Sequence, residues 1–400
     1  MQHSEGSGFQ QLQAWWRWLD PSIRWAVGLY GVLRVFVSLW GAVAAGFRAV
    51  PSPVAFSADV DRIIAASFPW AGSRLADVLV GNWMRWDTGW YLGIATFGYL
   101  PEKGNVIFPP LYPLLIRGLG WLIGGQYLLA ALLVANVACF VFLIFAYRLI
   151  ALDFSPETTR RTLLYLLAFP TGFFMVCGYS EPVFLCFFVL SLYAARRGRW
   201  LWAGVAAFLS ALTRLQGWVL TFPLVYFWFR ERFLPAWRAR KFNLWSLGSS
   251  LIAAGGGGFG TVAFMAYLVL AGLPSIEQAF AEHRDLQVGM PWDGLALAAH
   301  RLWTGDVQFH DVGNIVTLLM VAALIMIGLR RLPVFYTLFM VPGLLFTLMR
   351  YYPETLVHGM MRYVLAYFPC FILLAQWGQR HKLGHLLLMT VFLLFQVIFV

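Results

Sequence analysis

The sequence has 400 residues, of which 60% are hydrophobic and 12% are charged, and its mean hydropathy is +0.71. Water-soluble domains of this length are far less apolar, so the composition excludes a soluble fold and indicates a polytopic membrane protein. The net charge of +11 does not indicate a nucleic-acid partner, because the basic residues lie in short segments between apolar runs.

Apolar runs between charged residues predict an all-α fold with about eleven membrane-spanning helices, each needing about 20 apolar residues. We expect these helices to form a single domain over residues 1–400. The predicted segments are 23–47, 127–147, 162–178, 182–196, 200–213, 215–229, 245–271, 313–329, 333–349, 361–378 and 384–400. Residues 1–13 are polar and lack the pattern of a signal peptide, so we expect a retained cytoplasmic tail.

Two predicted outer segments are long, namely 48–126 and 272–312. In the first, Pro51 and Pro53 break the helix, and residues 56–80 have the spacing of a helix that lies on the membrane. Residues 111–124 form either a second surface helix or a re-entrant piece. The remaining connections between apolar runs are short.

Charges are distributed unevenly between the two predicted faces. With a cytoplasmic N-terminus, 17 of the 29 lysines and arginines fall in inner segments, as the positive-inside rule predicts. Of the 18 acidic residues, 13 fall on the outer side. Chemistry that uses carboxylates is therefore expected to face outward, although long outer loops also need charged residues for solvation.

The first outer segment places a carboxylate among aromatic residues. Arg85 and Trp86 precede Asp87, and Trp90 follows it. In a partly dry site a nearby guanidinium keeps such a carboxylate ionised, so Asp87 is a candidate general base. The alternative is an interfacial aromatic belt in which Asp87 caps a helix.

Two tight outer turns carry further polar groups. Glu181 follows Tyr179 and Ser180, and it is either the N-cap of the next helix or faces the same cavity as Asp87. Arg214, followed by Gln216, is a lone outer arginine that contradicts the charge rule. Such an exception indicates either a functional role or a side chain that snorkels outward.

The tenth predicted span begins near His358, Arg362 and Tyr363. A guanidinium beside the N–H groups of a helix terminus suits phosphate, although Arg362 could instead pair with Glu354. The second outer loop contains a charged cluster with His283 and Arg284, which binds a polar substrate or is a solvated helix face. The sequence does not separate these two interpretations.

Other motifs indicate structure rather than chemistry. Cysteines 139, 177, 186 and 370 lie in apolar runs without metal-ligand spacing, which predicts packing roles. The run Gly255–Gly258 lacks the context of a phosphate-binding loop and predicts close helix contact or a kink. His310 and Asp311 are too few to predict a metal site.

These pieces together resemble the membrane glycosyltransferases of the GT-C superfamily and, within it, the PIG-V-like mannosyltransferases and their bacterial relatives. PIG-V is the second mannosyltransferase of GPI-anchor synthesis. The resemblance spans most of the chain. The residues that carry it are Arg85, Trp86, Asp87, Tyr91, Ile94, Ala95, Gly98, Tyr99, Phe108, Pro109, Tyr112, Pro113, Leu114, Leu115, Tyr179, Ser180, Glu181, Arg362, Tyr363, Phe368 and Pro369.

The resemblance implies a GT-C-like membrane fold and transfer of a sugar, here mannose, from a polyprenyl-phosphate donor to an acceptor hydroxyl with inversion. It implies that Asp87 is the base. Many members of the superfamily carry a second acid beside the first, whereas Thr88 follows Asp87 here, so a divalent metal lacks its acidic pair. The proposed substrate-binding residues are Arg85, Trp86, Trp90, Tyr91, Tyr99, Glu181, Arg214, Gln216, His283, Arg284, His358, Arg362 and Tyr363.

The expected partners are the polyprenyl-phosphate sugar, a lipid or glycan acceptor and membrane lipids. A transporter or flippase of lipid-linked sugars is the alternative function, supported by Arg34 deep in the first span; a non-catalytic subunit is another. No asparagine begins an Asn-x-Ser/Thr acceptor, and the C-terminus has no retention signal. We therefore expect a bacterial inner membrane with the site facing the periplasm.

Overall fold

The computed structural model describes residues 16, 18–47, 80, 83–84, 87–283, 286–353 and 355–399. Its α-helices, in chain order, are α1 Pro21–Phe47, α2 Thr88–Phe97, α3 Leu111–Leu122, α4 Tyr127–Ile150, α5 Pro156–Ala168, α6 Glu181–Arg196, α7 Trp200–Thr213, α8 Thr221–Trp228, α9 Leu234–Ala239, α10 Leu244–Ala254, α11 Gly256–Leu270, α12 Ile276–His283, α13 Pro291–Thr304, α14 Phe309–Arg331, α15 Val334–Leu348, α16 Met360–Tyr363, α17 Pro369–Arg380 and α18 Lys382–Phe399.

Shorter elements connect these helices. The 3₁₀ turns are Pro101–Lys103, Asn105–Ile107, Gly172–Met175, Leu215–Leu220 and Val364–Tyr367, and a π-helical turn covers Phe229–Phe233. Two short strands, β1 Gln287–Val288 and β2 Arg350–Tyr351, pair in an antiparallel ladder. The predicted all-α class is therefore confirmed, with one small sheet that joins the second outer loop to the end of α15.

Among the described helices, α1, α4, α14 and α18 are long and apolar enough to cross a membrane. Two bent pairs, α10 with α11 and α16 with α17, raise the number of candidate spans to six. The chain is thus a membrane protein, while the expected eleven spans stay a prediction because helices such as α7 are too short to cross alone. The GT-C-like fold also stays a prediction.

Three segments predicted without a kink are not continuous α-helices. Segment 215–229 begins with the 3₁₀ turn Leu215–Leu220, and segment 361–378 is divided by the turn Val364–Tyr367 with a bend of 79°. The segment 162–178 was expected to be one helix, but α5 begins at Pro156 and ends at Ala168, before the 3₁₀ turn Gly172–Met175. Ser155 caps α5 by accepting a hydrogen bond from the backbone N–H of Thr158, and proline at the first helical position favours the same start. The local capping chemistry overrides the hydropathy pattern.

The glycine run produces both features that the sequence predicted. Helices α10 and α11 meet at Gly255 with a bend of 58°. A Cβ atom at Gly256 would lie 2.3 Å from the carbonyl oxygen of Gly204 in α7, and one at Gly260 would lie 2.5 Å from that of Phe208. Only glycine permits this approach, so α11 packs directly against the α7 backbone.

Arg34 lies at the middle of α1 and has structural partners there. Its guanidinium donates a hydrogen bond to the carbonyl oxygen of Val176 at 3.0 Å and lies over the Trp83 ring at 5.1 Å. Asn136 donates to the same carbonyl, and Tyr30 donates to Asn136. Arg34 therefore supplies a hydrogen-bond donor to the Val176 carbonyl, just after the Gly172–Met175 turn. Because this structural role accounts for a charge deep in the span, Arg34 no longer favours a transporter.

The end of the bundle that the sequence predicts to face the cytoplasm is held by ion pairs between turns. Arg196 donates two hydrogen bonds to Asp153, at 2.7 and 2.9 Å, and thereby joins the end of α6 to the α4–α5 turn. All four cysteines are buried and free, which confirms that they pack in the interior. The polar residues of greatest interest lie at the other end.

Candidate active site

Segments that are distant in sequence converge on a cavity of about 180 Å³ at the end of the helices that the sequence predicts to face outward. They come from both long loops, the turns before α6 and after α7, and the chain between α15 and α16. The lining residues are Asp87, Tyr91, Ile107, Phe108, Pro109, Ser180, Thr213, Arg214, Leu215, Gln216, Phe280, Leu286, Thr347, Arg350, Tyr352, His358, Arg362 and Tyr363. Most of the polar residues selected from the sequence therefore share one site.

Asp87 occupies the N-cap position of α2, but its side chain makes no capping hydrogen bond. The carboxylate instead accepts a hydrogen bond from Arg362, while the Asp87 backbone N–H donates to the Tyr179 hydroxyl at 3.0 Å. Aspartate at this position usually accepts from backbone N–H groups of its own helix. The helix-capping alternative thus does not describe this carboxylate, which lines the cavity.

Glu181 does not itself line the cavity, but it contacts two arginines that do, Arg214 and Arg362, and it is 4% exposed. It is the first residue of α6 and Ser180 is the N-cap, so the interpretation of Glu181 as an N-cap is wrong. One carboxylate oxygen accepts hydrogen bonds from both Arg214, at 2.6 Å, and Arg362. Burial raises the pKa of Glu181, but the two guanidinium groups outweigh it, and the net pKa lies below the ordinary value.

Arg214 follows the last residue of α7, where the backbone becomes extended. Besides Glu181, its guanidinium contacts Ser180 and Gln216, each at 3.3 Å, and lies 5.5 Å from the centre of the Tyr363 ring. The Arg214 side chain is 14% exposed. It therefore points to the interior of the site, and the outward-snorkelling alternative is wrong.

Arg362 lies in the short helix α16, which follows Gly359 in the left-handed region (φ 73°). Its guanidinium contacts both Asp87 and Glu181 and lies over the rings of Tyr179, at 4.5 Å, and Phe174, at 5.3 Å. Flat aromatic faces and two carboxylates thus fix its position.

Aromatic residues, among them Tyr91 and Phe108, also line the cavity. The Tyr91 hydroxyl lies 2.7 Å from that of Ser180, and Tyr91 lines the cavity. Trp90 stacks on Phe108, and Tyr99 donates a hydrogen bond to the Phe108 carbonyl at 2.7 Å. Trp90 and Tyr99 do not line the cavity, so their observed effect is to position Phe108, which does.

Of the other residues predicted to bind substrate, His358 lies in the cavity and several fall outside the described residues. His358 lines the cavity with its ring against Tyr352, at 4.4 Å between centres. Arg85, Trp86, Arg284 and Glu354 lie outside the described residues, and of His283 only the backbone at the end of α12 is described. Arg362 pairs with Asp87 and Glu181, whereas its predicted pairing with Glu354 lies outside the described residues.

Arg350 is the residue that the sequence reasoning missed. It lines the cavity from strand β2, just after the C-terminal end of α15. A lone outer arginine contradicts the positive-inside rule, and that signal, which selected Arg214, would also have selected Arg350.

The described residues give little support for a bound metal. Among them no group of three His, Cys, Asp or Glu side chains could hold a metal ion. Thr88, beside Asp87, donates to the carbonyl oxygens of Trp83 or Gly178 at 3.3 Å, a contact that an ionised acid there could not make. Asp311 accepts from the backbone N–H groups of Gln308 and Leu356.

Comparison with known proteins gives a family match. The model of a family described as "Mannosyltransferase (PIG-V)" matches residues 30–231, just over half of the chain. The chain is also 29% identical to human GPI alpha-1,6-mannosyltransferase 2 over 147 residues, which cover 34% of this chain and 30% of the human protein. No solved structure matches. The family match includes Asp87, Glu181 and Arg214, and it ends before Arg350 and Arg362.

Proposed function

The chain belongs to the PIG-V family of membrane mannosyltransferases, and from this premise we propose that it transfers mannose from a polyprenyl-phosphate donor to an acceptor hydroxyl. The acceptor is a lipid or glycan, and the reaction inverts the sugar carbon. The observation that carries the proposal is that Asp87 shares one cavity with Arg214, Arg350 and Arg362. A base and an anion-binding group are the two functions that this transfer needs.

In the proposed step, Asp87 removes the proton from the acceptor hydroxyl as its oxygen attacks the sugar carbon. The bond between that carbon and the phosphate oxygen breaks, and its electron pair stays on the phosphate. The products are the mannoside, the polyprenyl phosphate with one more negative charge, and protonated Asp87. The leaving phosphate needs positive charge rather than a proton donor, which arginines supply.

Arg362 has two functions in this proposal. It pairs with Asp87 and Glu181 in a largely buried site, and its positive charge attracts the donor phosphate. A phosphate that draws Arg362 away from Asp87 leaves that carboxylate available to the acceptor. Aromatic residues such as Tyr91 and Phe108 supply flat surfaces for the sugar.

We also propose that the cavity faces the periplasm of a bacterial cell. The acidic residues gather at this end, and nucleotide sugars do not reach the outer compartment. A lipid-linked donor delivers the sugar there. The surrounding membrane lipids would hold its polyprenyl chain beside the cavity.

The test is mannose transfer by the purified protein, with synthetic polyprenyl-phosphate mannose and lipid or glycoside acceptors. We expect Asp87→Asn to lower turnover by about 10² to 10⁴, the usual contribution of a general base. Glu277→Gln is the matched control, because Glu277 is an exposed outer acid that does not line the cavity. If the folded Asp87→Asn protein keeps full turnover, Asp87 is not the base.

A further inference from the structure

Arg350 is held at the cavity edge by backbone pairing. It opposes Val288 in the ladder between β1 and β2, and the next residue of that loop, Gly289, donates its N–H to the Met349 carbonyl at 2.9 Å. The two strands come from the second outer loop and from the end of α15. This pairing fixes the Cα position from which the Arg350 side chain reaches the cavity.

Aromatic contacts fix the guanidinium. It lies 5.1 Å from the centre of the Phe346 ring and 5.8 Å from that of Tyr363. The Tyr363 ring also contacts Arg214, so two guanidinium groups share one aromatic residue. Aromatic faces attract a cation without neutralising it, and the charge of Arg350 remains available to an anion.

Among the described residues, the positive charges of the site outnumber the negative ones. Three guanidinium groups, those of Arg214, Arg350 and Arg362, lie near two carboxylates, those of Asp87 and Glu181. Both carboxylates accept from Arg214 or Arg362. Within the described residues, Arg350 has no carboxylate partner, and its Nε atom is buried without a hydrogen-bond acceptor. Such donors are rare because burial without a partner is unfavourable.

We propose that Arg350 binds the phosphate of the lipid-linked donor and remains on it as the leaving group. This inference rests on the proposed function. The donor phosphodiester carries one negative charge, and the released monoester gains a second when the bond between the sugar carbon and the phosphate oxygen breaks. The positive charge of Arg350 stabilises the second negative charge that forms on the phosphate. The proton of the acceptor hydroxyl goes to Asp87.

Direct binding tests the assignment without turnover. Purified protein in detergent is titrated with polyprenyl phosphate and with the uncharged polyprenol. We expect Arg350→Gln to weaken phosphate binding about 10- to 100-fold, the ratio for one charge-assisted hydrogen bond, and to leave polyprenol binding unchanged. Arg350→Lys keeps the charge and should recover part of the affinity. Arg117→Gln removes an exposed arginine away from the cavity and should change neither.

Several results would overturn the assignment. They are unchanged phosphate binding by Arg350→Gln, equal loss of both lipids, or a Lys variant as weak as the Gln variant. Inorganic phosphate, at the concentration at which the lipid binds, should not displace it; displacement would assign the site to free phosphate. Each of these results leaves mannose transfer standing. Conversely, the protein could bind the lipid phosphate through Arg350 and yet transfer mannose to no acceptor. That result would contradict the proposed function but not the role of Arg350 in phosphate binding.

Discussion

Arg362 connects the two carboxylates of the site, because its guanidinium contacts Asp87 at the cavity surface and Glu181 beneath it. Glu181 in turn accepts from Arg214. The Asp87 carboxylate is thus held through a chain of charge-assisted hydrogen bonds, and Glu181 contacts it only through Arg362. We expect Glu181 to position the arginines and not to touch the substrate.

The first prediction at this scale concerns stability. Glu181→Gln should destabilise the protein by about 3–5 kcal/mol, because it leaves two buried guanidinium groups short of a charged partner. Thermal unfolding in detergent measures the loss. Glu157→Gln is the matched control: it removes an acid of similar size from an exposed ion pair with Arg161, and exposed pairs contribute at most about 1 kcal/mol.

The same variant should show a specific pH dependence. The pKa of Glu181 is lower in the folded protein than its ordinary value of 4.5, so its stabilising effect is complete above that value. The effect disappears as the pH falls through the folded pKa. The difference in melting temperature between wild type and Glu181→Gln should therefore stay constant down to about pH 5 and then shrink. A decrease already near neutral pH would contradict the assigned ion pairs.

Sequence patterns found the residue types of this site but not their pairing. Asp87 and Arg362 were separately visible as a carboxylate among aromatics and an outer arginine, yet their contact spans most of the chain. Local periodicity carries no information about such a contact. Arg350 was missed although it breaks the positive-inside rule as Arg214 does, because it directly follows the predicted span 333–349 and no motif that the sequence reasoning selected includes it.

At the scale of elements, glycines decide how the short helices pack. Helix α11 crosses α7 at Gly204 and Gly256, and α7 places Ala207 and Ala211, both fully buried, on its interior face. Small residues allow backbones to approach closely, which is a main source of helix association in membranes. The turn after α7, which carries Arg214 and Gln216, depends on this contact for its position.

Gly256→Ala should therefore destabilise the protein by about 1–3 kcal/mol, since the new methyl group would meet the Gly204 carbonyl oxygen and force the helices apart. Gly258→Ala is the matched control two residues along α11. Its Cβ would meet only the Thr221 hydroxyl, at an ordinary 3.5 Å. Melting temperatures in detergent compare the two. Equal losses would show that helix propensity or general crowding, not the Gly204 contact, governs the effect.

Helix type was predictable from the sequence, whereas helix boundaries were less so. The glycine run at 255–258 indicated a bend or close packing because nothing else favours four glycines in an apolar segment. The end of α5 at Ala168 was not evident, because residues 169–178 stay apolar although the chain turns there. Hydropathy reports burial and cannot distinguish a buried 3₁₀ turn from a continuing helix.

For the whole molecule, the two ends of the bundle differ in chemistry. The cavity end gathers Asp87, Glu181 and the arginines that pair with them, and the other end contains inner-turn pairs such as Arg196 with Asp153. This separation follows the charge distribution predicted from the sequence. The composition indicated a membrane protein directly, but which face of the membrane holds the cavity depends on the positive-inside rule.

Impermeant thiol labelling of intact cells tests that orientation. Glu102→Cys places a thiol on the exposed turn Pro101–Lys103 near the cavity end, and Lys241→Cys places one on the exposed chain after α9. The native cysteines are buried and should stay unlabelled, so wild type is the background control. We expect the Glu102→Cys protein to react from outside, and the Lys241→Cys protein to react only after permeabilisation. The reverse pattern would place the cavity on the cytoplasmic side. Nucleotide sugars are available there, so the location of the cavity would no longer favour a lipid-linked donor.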